Sequence, residues 1–319
     1  MSLRYRGKNM KVFITGGTGF AGPVVSEKIK SSGASVTLLE RNKKKISKLK
    51  ELGFEVFEGT LEEKDAVNGF LSGSKFDAII NLIGIIKSQP DFSFQKVHVD
   101  YVGILLDLAK KNGIDRFIHM SALGAAVSDS EYFSTKYEGE ALVKNSGLKW
   151  TVFRPSLIFG DNAAFFDDLI NLVKTRAFVP IIGTGETKFA PIDVFSIADA
   201  YNNSLYNEKA VGKVFQLCGP DVYTFEGIID LIMELSPPKK LKLHTPSFIA
   251  EKSLGIFERL PLPVIKNLPI TSDQIRMLKY DNICGGDMSG TDELFKLKRT
   301  RLKDWLKEYL HKKYNQNII

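Results

Sequence analysis

Through the first half of the chain, short runs rich in β-branched and aromatic residues alternate with stretches whose apolar positions recur every three or four residues. Lys11–Thr15, Ser35–Leu39, Glu55–Phe57, Ala78–Leu82, Arg116–Met120 and Thr151–Phe153 all read as buried strands. Between them the spacing predicts helices over residues 20–32, 43–52, 62–71, 92–112 and 132–146. The fourth carries Val97, Tyr101, Ile104, Leu105 and Leu108 at the spacing of one buried helix face. Strictly alternating strands and helices predict an α/β fold, a Rossmann doubly wound parallel sheet.

After Pro155 the pattern changes. Aromatic and glycine-containing segments, Phe159–Phe166 and Val179–Gly185, precede a further strand at Val214–Leu217. The Pro237-Pro238 pair and the proline-rich stretch Leu260–Pro269 break the rest into short helices and loops. The expected division is a Rossmann domain over 10–157, with a return strand near 190–219, and a smaller C-terminal α/β substrate domain from 158–189 and 220–319. A final amphipathic helix places Leu302, Trp305, Leu306, Tyr309 and Leu310 on one side. It reads as a packing helix, with a partner or membrane-surface contact as the alternative.

Composition narrows the classes. With 319 residues, 44% of them hydrophobic, the chain can bury one large core or two modest ones. Lys plus Arg exceed Asp plus Glu by 44 to 37. The excess is dispersed apart from Arg4/Arg6/Lys8, Lys43–Lys45 and Lys296–Lys313, and no nucleic-acid-binding motif accompanies it. No nucleic-acid partner is therefore expected. Cys218 and Cys284 are too few and too isolated to predict a disulfide framework or a metal site, which fits a reducing cytoplasm. No segment reaches the roughly 18 apolar residues of a membrane span, and Met1–Asn9 reads as an extension ahead of a natural start at Met10.

The chemistry concentrates in one turn. Val12-Phe13-Ile14-Thr15-Gly16-Gly17-Thr18-Gly19-Phe20-Ala21-Gly22 spaces three glycines three apart at a strand-to-helix junction. Gly16 permits the tight turn, Gly19 lets backbone approach a pyrophosphate, and Gly22 lets the helix lie close on the strand. The helix N-terminus then faces the anion with free N–H groups, and Thr18 and Phe20 lie within the same loop. Glu40 follows Gly22 by 18 residues at the end of the second strand, where an acid accepts hydrogen bonds from the adenosine ribose and favours NAD. Arg41 points the other way, because a guanidinium there pairs with a 2′-phosphate or stacks on adenine. Gly59-Thr60-Leu61 is expected at the adenine, and Asn81-Leu82-Ile83-Gly84 along the ribose. Both NAD and NADP remain open.

Tyr132 and Lys136 stand four residues apart on one helix face after the fifth strand. A lysine cation close to a phenol favours the phenolate, as proton exchange with a substrate alcohol or carbonyl requires.

The glycine pattern, Tyr132/Lys136 and Arg154-Pro155-Ser156-Leu157-Ile158-Phe159-Gly160 resemble the short-chain dehydrogenase/reductase superfamily in its extended or atypical branch. Ser121-Ala122-Leu123-Gly124-Ala125, Thr135–Glu140, Phe189-Ala190-Pro191-Ile192 and Leu217-Cys218-Gly219-Pro220 resemble, more narrowly, relatives of the nucleotide-binding accessory subunit of respiratory complex I (NADH:ubiquinone oxidoreductase). The likeness runs over nearly the whole chain from Met10, loosely in the last hundred residues. It implies that Lys136 contacts the nicotinamide ribose, that Tyr132 is the acid/base, and that backbone from Pro155 to Ile158 passes the nicotinamide. The chain departs from the pattern at three places. Ala122 occupies the usual position of a catalytic hydroxyl, leaving only Ser121 one place earlier. Thr60 replaces a frequent acid, and His98, at a common asparagine position, reads as a packing histidine rather than a base.

Two functions remain open on these grounds. One is an NAD(P)-dependent oxidoreductase or epimerase/dehydratase-like enzyme with an unknown small-molecule substrate. The other is a non-catalytic dinucleotide-holding subunit or assembly factor, associated peripherally with a membrane or respiratory complex. A monomer is expected.

Overall fold

The computed structural model describes residues 10–125, 129–236, 239–258 and 271–314. The expected extension Met1–Asn9 with its basic cluster, the Pro237-Pro238 pair and the Leu260–Pro269 stretch lie outside the described residues.

The strands are β1 (Lys11–Thr15), β2 (Ser35–Glu40), β3 (Glu55–Glu58), β4 (Ala78–Asn81), β5 (Arg116–Met120), β6 (Lys149–Pro155), β7 (Ile158–Phe159), β8 (Phe178–Ile182), β9 (Lys188–Phe189), β10 (Ile192–Asp193), β11 (Lys213–Leu217), β12 (Tyr223–Thr224) and β13 (Leu241–Thr245). The first six and β11 form one sheet in the order β11-β6-β5-β4-β1-β2-β3, with every neighbouring pair parallel. The Rossmann α/β class expected from the pattern is what the chain adopts. The order reverses between β1 and β4, and the crevice outside the carboxyl ends of those strands is where such sheets bind ligands.

The helices are α1 (Gly22–Ser31), α2 (Lys43–Glu51), α3 (Lys64–Ser74), α4 (Tyr101–Lys111), α5 (Glu131–Lys144), α6 (Ala164–Thr175), α7 (Val194–Leu205), α8 (Phe225–Leu235), α9 (Ser247–Glu258), α10 (Ser272–Met277), α11 (Ser289–Phe295) and α12 (Leu302–Tyr314). Alternate strand residues serve opposite faces of the sheet. Val12, Ile14, Leu38, Ile80 and Ile118 pack with Val25 and Ile29 of α1 and Ile197 and Tyr201 of α7. Phe13, Ile79, Phe117 and Val152 pack with Leu71 of α3, Leu105 of α4 and Val143 of α5. Burying both faces is why these strands read as apolar runs rather than as alternating ones.

One expected helix differs. Over residues 92–112 an i→i+5 turn, Lys96–Asp100, precedes α4. Its extra residue shifts the helical phase, so Val97 and His98 are both buried before the ordinary repeat resumes.

A further apolar cluster joins Phe166 and Ile170 of α6, Val179 and Ile181 of β8, Ile228 and Ile232 of α8, and Leu302, Leu306 and Leu310 of α12. Trp305 stacks on Tyr309 at 4.8 Å and lies 5.2 Å from Phe159. The last amphipathic helix is thus a packing helix.

The cysteines depart from expectation. Cys218, just after β11, and Cys284 have Cα atoms 6.0 Å apart and are joined as a disulfide. They stand 66 residues apart in sequence, and what brings them together is a return of the chain at Asn282. This residue donates from Nδ2 to Leu123 O at 2.9 Å and accepts from the Ser156 hydroxyl and the Leu157 and Ala190 amides. Spacing alone carries no trace of that crossing.

Candidate dinucleotide site

The glycine turn closes on itself through Gly19 N–H donating to Gly16 O at 3.0 Å. Gly16 has φ of 75°, and a Cβ on Gly22 would sit 2.3 Å from Gly16 O and 2.5 Å from Gly17 C. Only glycine allows α1 to start so close to β1. Ala21, at the N-cap of α1, supplies no side-chain hydrogen bond, and Pro23 lies in the first turn. The first-turn amides are thereby left for an anion. Phe20 stands at the mouth of the turn, with its ring near Gly160 beyond β7.

At the end of β2 the Glu40 carboxylate is already ringed by donors. It accepts from the Thr18 hydroxyl and from the Arg41 and Asn42 amides at 2.9 and 2.7 Å. Arg41 lays its guanidinium 4.2 Å over the Phe92 ring. In the next loop Thr60 donates from its amide to Glu63 Oε2 at 2.7 Å, and Leu61 is buried. The Glu63 carboxylate thus holds the Thr60 backbone in this loop.

The second half of the site gathers at the carboxyl ends of β4 and β5. Lys136, on α5 and only 4% exposed, donates from Nζ to Met120 O at 3.1 Å. A Cβ at Gly84 would lie 3.0 Å from the same ammonium, which explains a glycine there. Burial lowers the Lys136 pKa to about 8. Among the described residues no carboxylate pairs with it. Leu82 backs the glycine turn, its carbonyl carbon 2.6 Å from where a Cβ on Gly16 would be.

Two imidazoles flank this cation. His98 accepts from Ile85 N–H at Nε2, 3.2 Å, and its Nδ1 lies 3.0 Å from Thr135 Oγ1. These bonds assign the neutral Nδ1–H tautomer. Burial first, then the Lys136 charge, lowers its pKa to about 2. His98 is a strut between α5 and the loop after β4, as a packing histidine should be. His119 on β5 continues a buried polar line, Thr15 Oγ1 to Asn81 Oδ1 at 2.9 Å and Asn81 Nδ2 to His119 Nδ1 at 3.2 Å. It is held to about 3 by burial and then by Lys136. Neither the Nε2 of His119 nor the Oγ of Ser121 has a partner among the described residues, although both atoms are buried. His119 was not singled out in the sequence, and nothing there distinguishes it from a core residue.

Tyr132 sits edge-on to His98 at 5.4 Å and to Phe133 at 5.2 Å, with Phe94 beyond. Burial pushes its phenol up to about 12. Its hydroxyl makes no hydrogen bond with Lys136 or any other described residue, so the phenolate-favouring contact expected from the spacing is not formed here. The backbone of Tyr132 is held from α10 instead. Asp273 of α10 accepts from Ser130 Oγ, Glu131 N and Tyr132 N at 2.9, 2.9 and 3.2 Å. Behind α5, Glu140 and Arg154 form a bidentate pair at 2.8 and 2.7 Å that ties the helix to β6. Ala122 is buried beside Ser121 at the end of β5, Pro155 accepts from Leu123 N at 3.0 Å, and Ile158 begins β7.

The fold is of the Rossmann type, and the family model described as NAD(P)H-binding matches residues 16–164. Among curated relatives, the mitochondrial NADH dehydrogenase [ubiquinone] 1 alpha subcomplex subunit 9 of Arabidopsis thaliana is 28% identical over 282 residues, covering 85% of this chain and 70% of that protein. The Photosystem II assembly factor Ycf39 of Cyanophora paradoxa is 26% identical, covering 94% of this chain and 92% of its own. The narrower resemblance noted in the sequence, to complex I accessory subunits, holds. In fold, the NADPH-dependent quinone oxidoreductase QOR2 of Escherichia coli, complexed with NADPH, superposes with a TM-score of 0.74 at 17% identity, covering 94% of this chain and 99% of that one.

Proposed function

We propose that this chain binds NAD(P)(H) at the Gly16–Gly22 turn and works as an oxidoreductase-type protein, with Lys136 at the nicotinamide ribose and Tyr132 as the proton donor or acceptor. One observation carries the reading. Lys136 is a buried ammonium with a single neutral carbonyl for company, and such a group is costly unless a ligand completes its coordination. The hydroxyls of a ribose would do so, with Gly84 leaving the room. Gly16, Thr18, Gly19, Phe20 and Gly22 would cradle the phosphates, Glu40, Arg41, Thr60 and Leu61 the adenosine end, and Leu82, Pro155 and Ile158 the nicotinamide end. Bound there, the nicotinamide supplies or accepts hydride. Lys136 holds the ribose, and its charge, brought nearer the phenol, lowers the Tyr132 pKa from its raised resting value. Ser121 Oγ, buried and unpartnered, is the available hydroxyl for a substrate oxygen.

A second reading is favoured by Ala122 and by the raised phenol: the dinucleotide is held without turnover, as a structural element of a larger assembly. The names of the relatives, a complex I subunit and an assembly factor, support it. Tyr132→Phe separates the two. In the enzymatic reading it removes nicotinamide oxidation across a panel of quinones, sugar nucleotides and other carbonyls by about a hundredfold or more while nucleotide affinity holds. Equal rates in variant and parent would sink the acid/base role, and no turnover in the parent would leave the holding function.

A further inference from the structure

The ribbon β8/β13 carries its side chains in an unusual sense. In β8, Val179 and Ile181 turn into the α6/α8/α12 cluster while Phe178 and Pro180 face out. The parallel register sets Leu241 beside Phe178 and Leu243 beside Pro180, so these four share the outer side. The polar residues of β13, Lys242 and His244, are the ones on the inner side. Lys242 Nζ donates to Asp230 Oδ1 at 2.8 Å, and His244 Nε2 lies 3.5 Å from Glu226 Oε2, both carboxylates belonging to α8. A strand that spends its ionic partners inside and its leucines outside is inverted relative to an ordinary half-buried strand.

The exposed apolar surface continues into the first turn of α9. Phe178 is 49% exposed, Leu241 67%, Leu243 42%, Phe248 61% and Ile249 48%. Five of the twelve large apolar side chains exposed among the described residues thus lie on this one face, a clustering that scattered surface residues do not produce. Cations fringe it. Arg176 enters β8, and Lys239 and Lys240 enter β13, at the same end of the parallel pair. None of the three pairs with a carboxylate among the described residues.

We propose that this face docks on an anionic lipid bilayer. The outer side chains of β8, β13 and the start of α9 enter the headgroup layer, and Arg176, Lys239 and Lys240 meet the lipid phosphates. The charge fringe selects this occupant over a second copy of the chain, because its three cations find complementary charge in lipid phosphates, whereas the described outer side chains of β8 and β13 offer a second copy no carboxylate to meet them. The inference stands apart from the nucleotide reading, and the two are measured separately.

The test is co-sedimentation of the full chain with phosphatidylglycerol-containing vesicles and with pure phosphatidylcholine vesicles, each at low and high salt. Binding is expected to the anionic vesicles, reduced by salt. Leu241→Ser with Leu243→Ser weakens it at least tenfold. Arg176→Gln with Lys239→Gln and Lys240→Gln weakens it about a hundredfold, at roughly fivefold per cation. An unchanged circular-dichroism spectrum and urea midpoint certify that each variant is folded, and the salt dependence of the parent chain needs no variant at all. The proposal is overturned by the absence of binding to anionic vesicles, by equal binding to neutral ones, or by a salt-insensitive affinity that both variants share with the parent. A dimer that the leucine variant dissolves, without vesicle binding, overturns it too.

Discussion

Lys136 is the residue at which stability and function pull in opposite directions. Its folded pKa, about 8, lies below the usual value of 10.5, so the native state binds fewer protons than the unfolded chain between those two pH values. Stability rises with pH across that window, and below it the buried charge costs roughly 3 kcal/mol. Lys136→Met removes the charge and keeps much of the volume. The variant is expected to unfold at higher urea concentration than the parent at pH 7 and to bind nucleotide roughly tenfold more weakly or worse, the loss of charge-assisted hydrogen bonds. A variant that loses stability while keeping affinity would show that Lys136 is a strut rather than a ligand group. Glu40 and Arg41 remain a mixed signal at the same scale: the carboxylate is occupied by Thr18 and two backbone amides, and the guanidinium is free to leave Phe92 for a 2′-phosphate.

Among elements, α5 does the most positioning, and several contacts fix it. His98 braces it from the i→i+5 turn, Asp273 caps it from α10, and Arg154 grips Glu140 from β6. A Cβ on Gly139 would lie 2.0 Å from His98 O, so the helix and the turn touch backbone to backbone. Two of the supporting groups, His98 and His119, are neutral in the fold, with pKa values lowered to about 2 and 3. In the unfolded chain both protonate near pH 6.5. Stability is therefore lost as pH falls below that point, by up to about 2.7 kcal/mol per pH unit for the pair, until the folded values are reached. Urea titrations at pH 7 and pH 5 check this, and His119→Asn should flatten the difference by about half. An identical pH dependence in that variant would place the acid sensitivity elsewhere.

The strands β1, β2, β4 and β5 and the helices between them were legible because local periodicity and burial agree: Val12 to Thr15 is apolar or small on both faces and the sheet buries both. The glycine turn was legible for the same reason, its steric need being local to Gly16 and Gly22. The extra residue at Lys96–Asp100 was not, because Gly139 and His98 are 41 residues apart and only their contact reveals it. Nor could spacing bring Tyr132 and Lys136 into the expected relation, since the turn of α5 that carries the phenol is fixed by Asp273 from another part of the chain.

At the level of the molecule, the Rossmann sheet carries the proposed nucleotide site, and the chain beyond β7 supplies two things the sheet lacks. The segment from α10 through Asn282 to Cys284 crosses to the ends of β6 and β11, pinning Tyr132 on one side and the Ser156–Leu157 backbone on the other. The same half of the chain carries the apolar, cation-fringed ribbon of β8 and β13. Both pairings were beyond local pattern, because each depends on residues that meet only after the sheet has formed.

The central claim is that the glycine turn and Lys136 hold a dinucleotide, and native mass spectrometry of the purified chain titrated with NADH and NADPH tests it most directly. One nucleotide per chain is expected. Gly22→Ala, whose Cβ would lie 2.3 Å from Gly16 O and push α1 away from the turn, should abolish that complex while the far strands of the sheet still fold. Absence of any bound nucleotide in the parent, or equal occupancy in Gly22→Ala, would contradict the account.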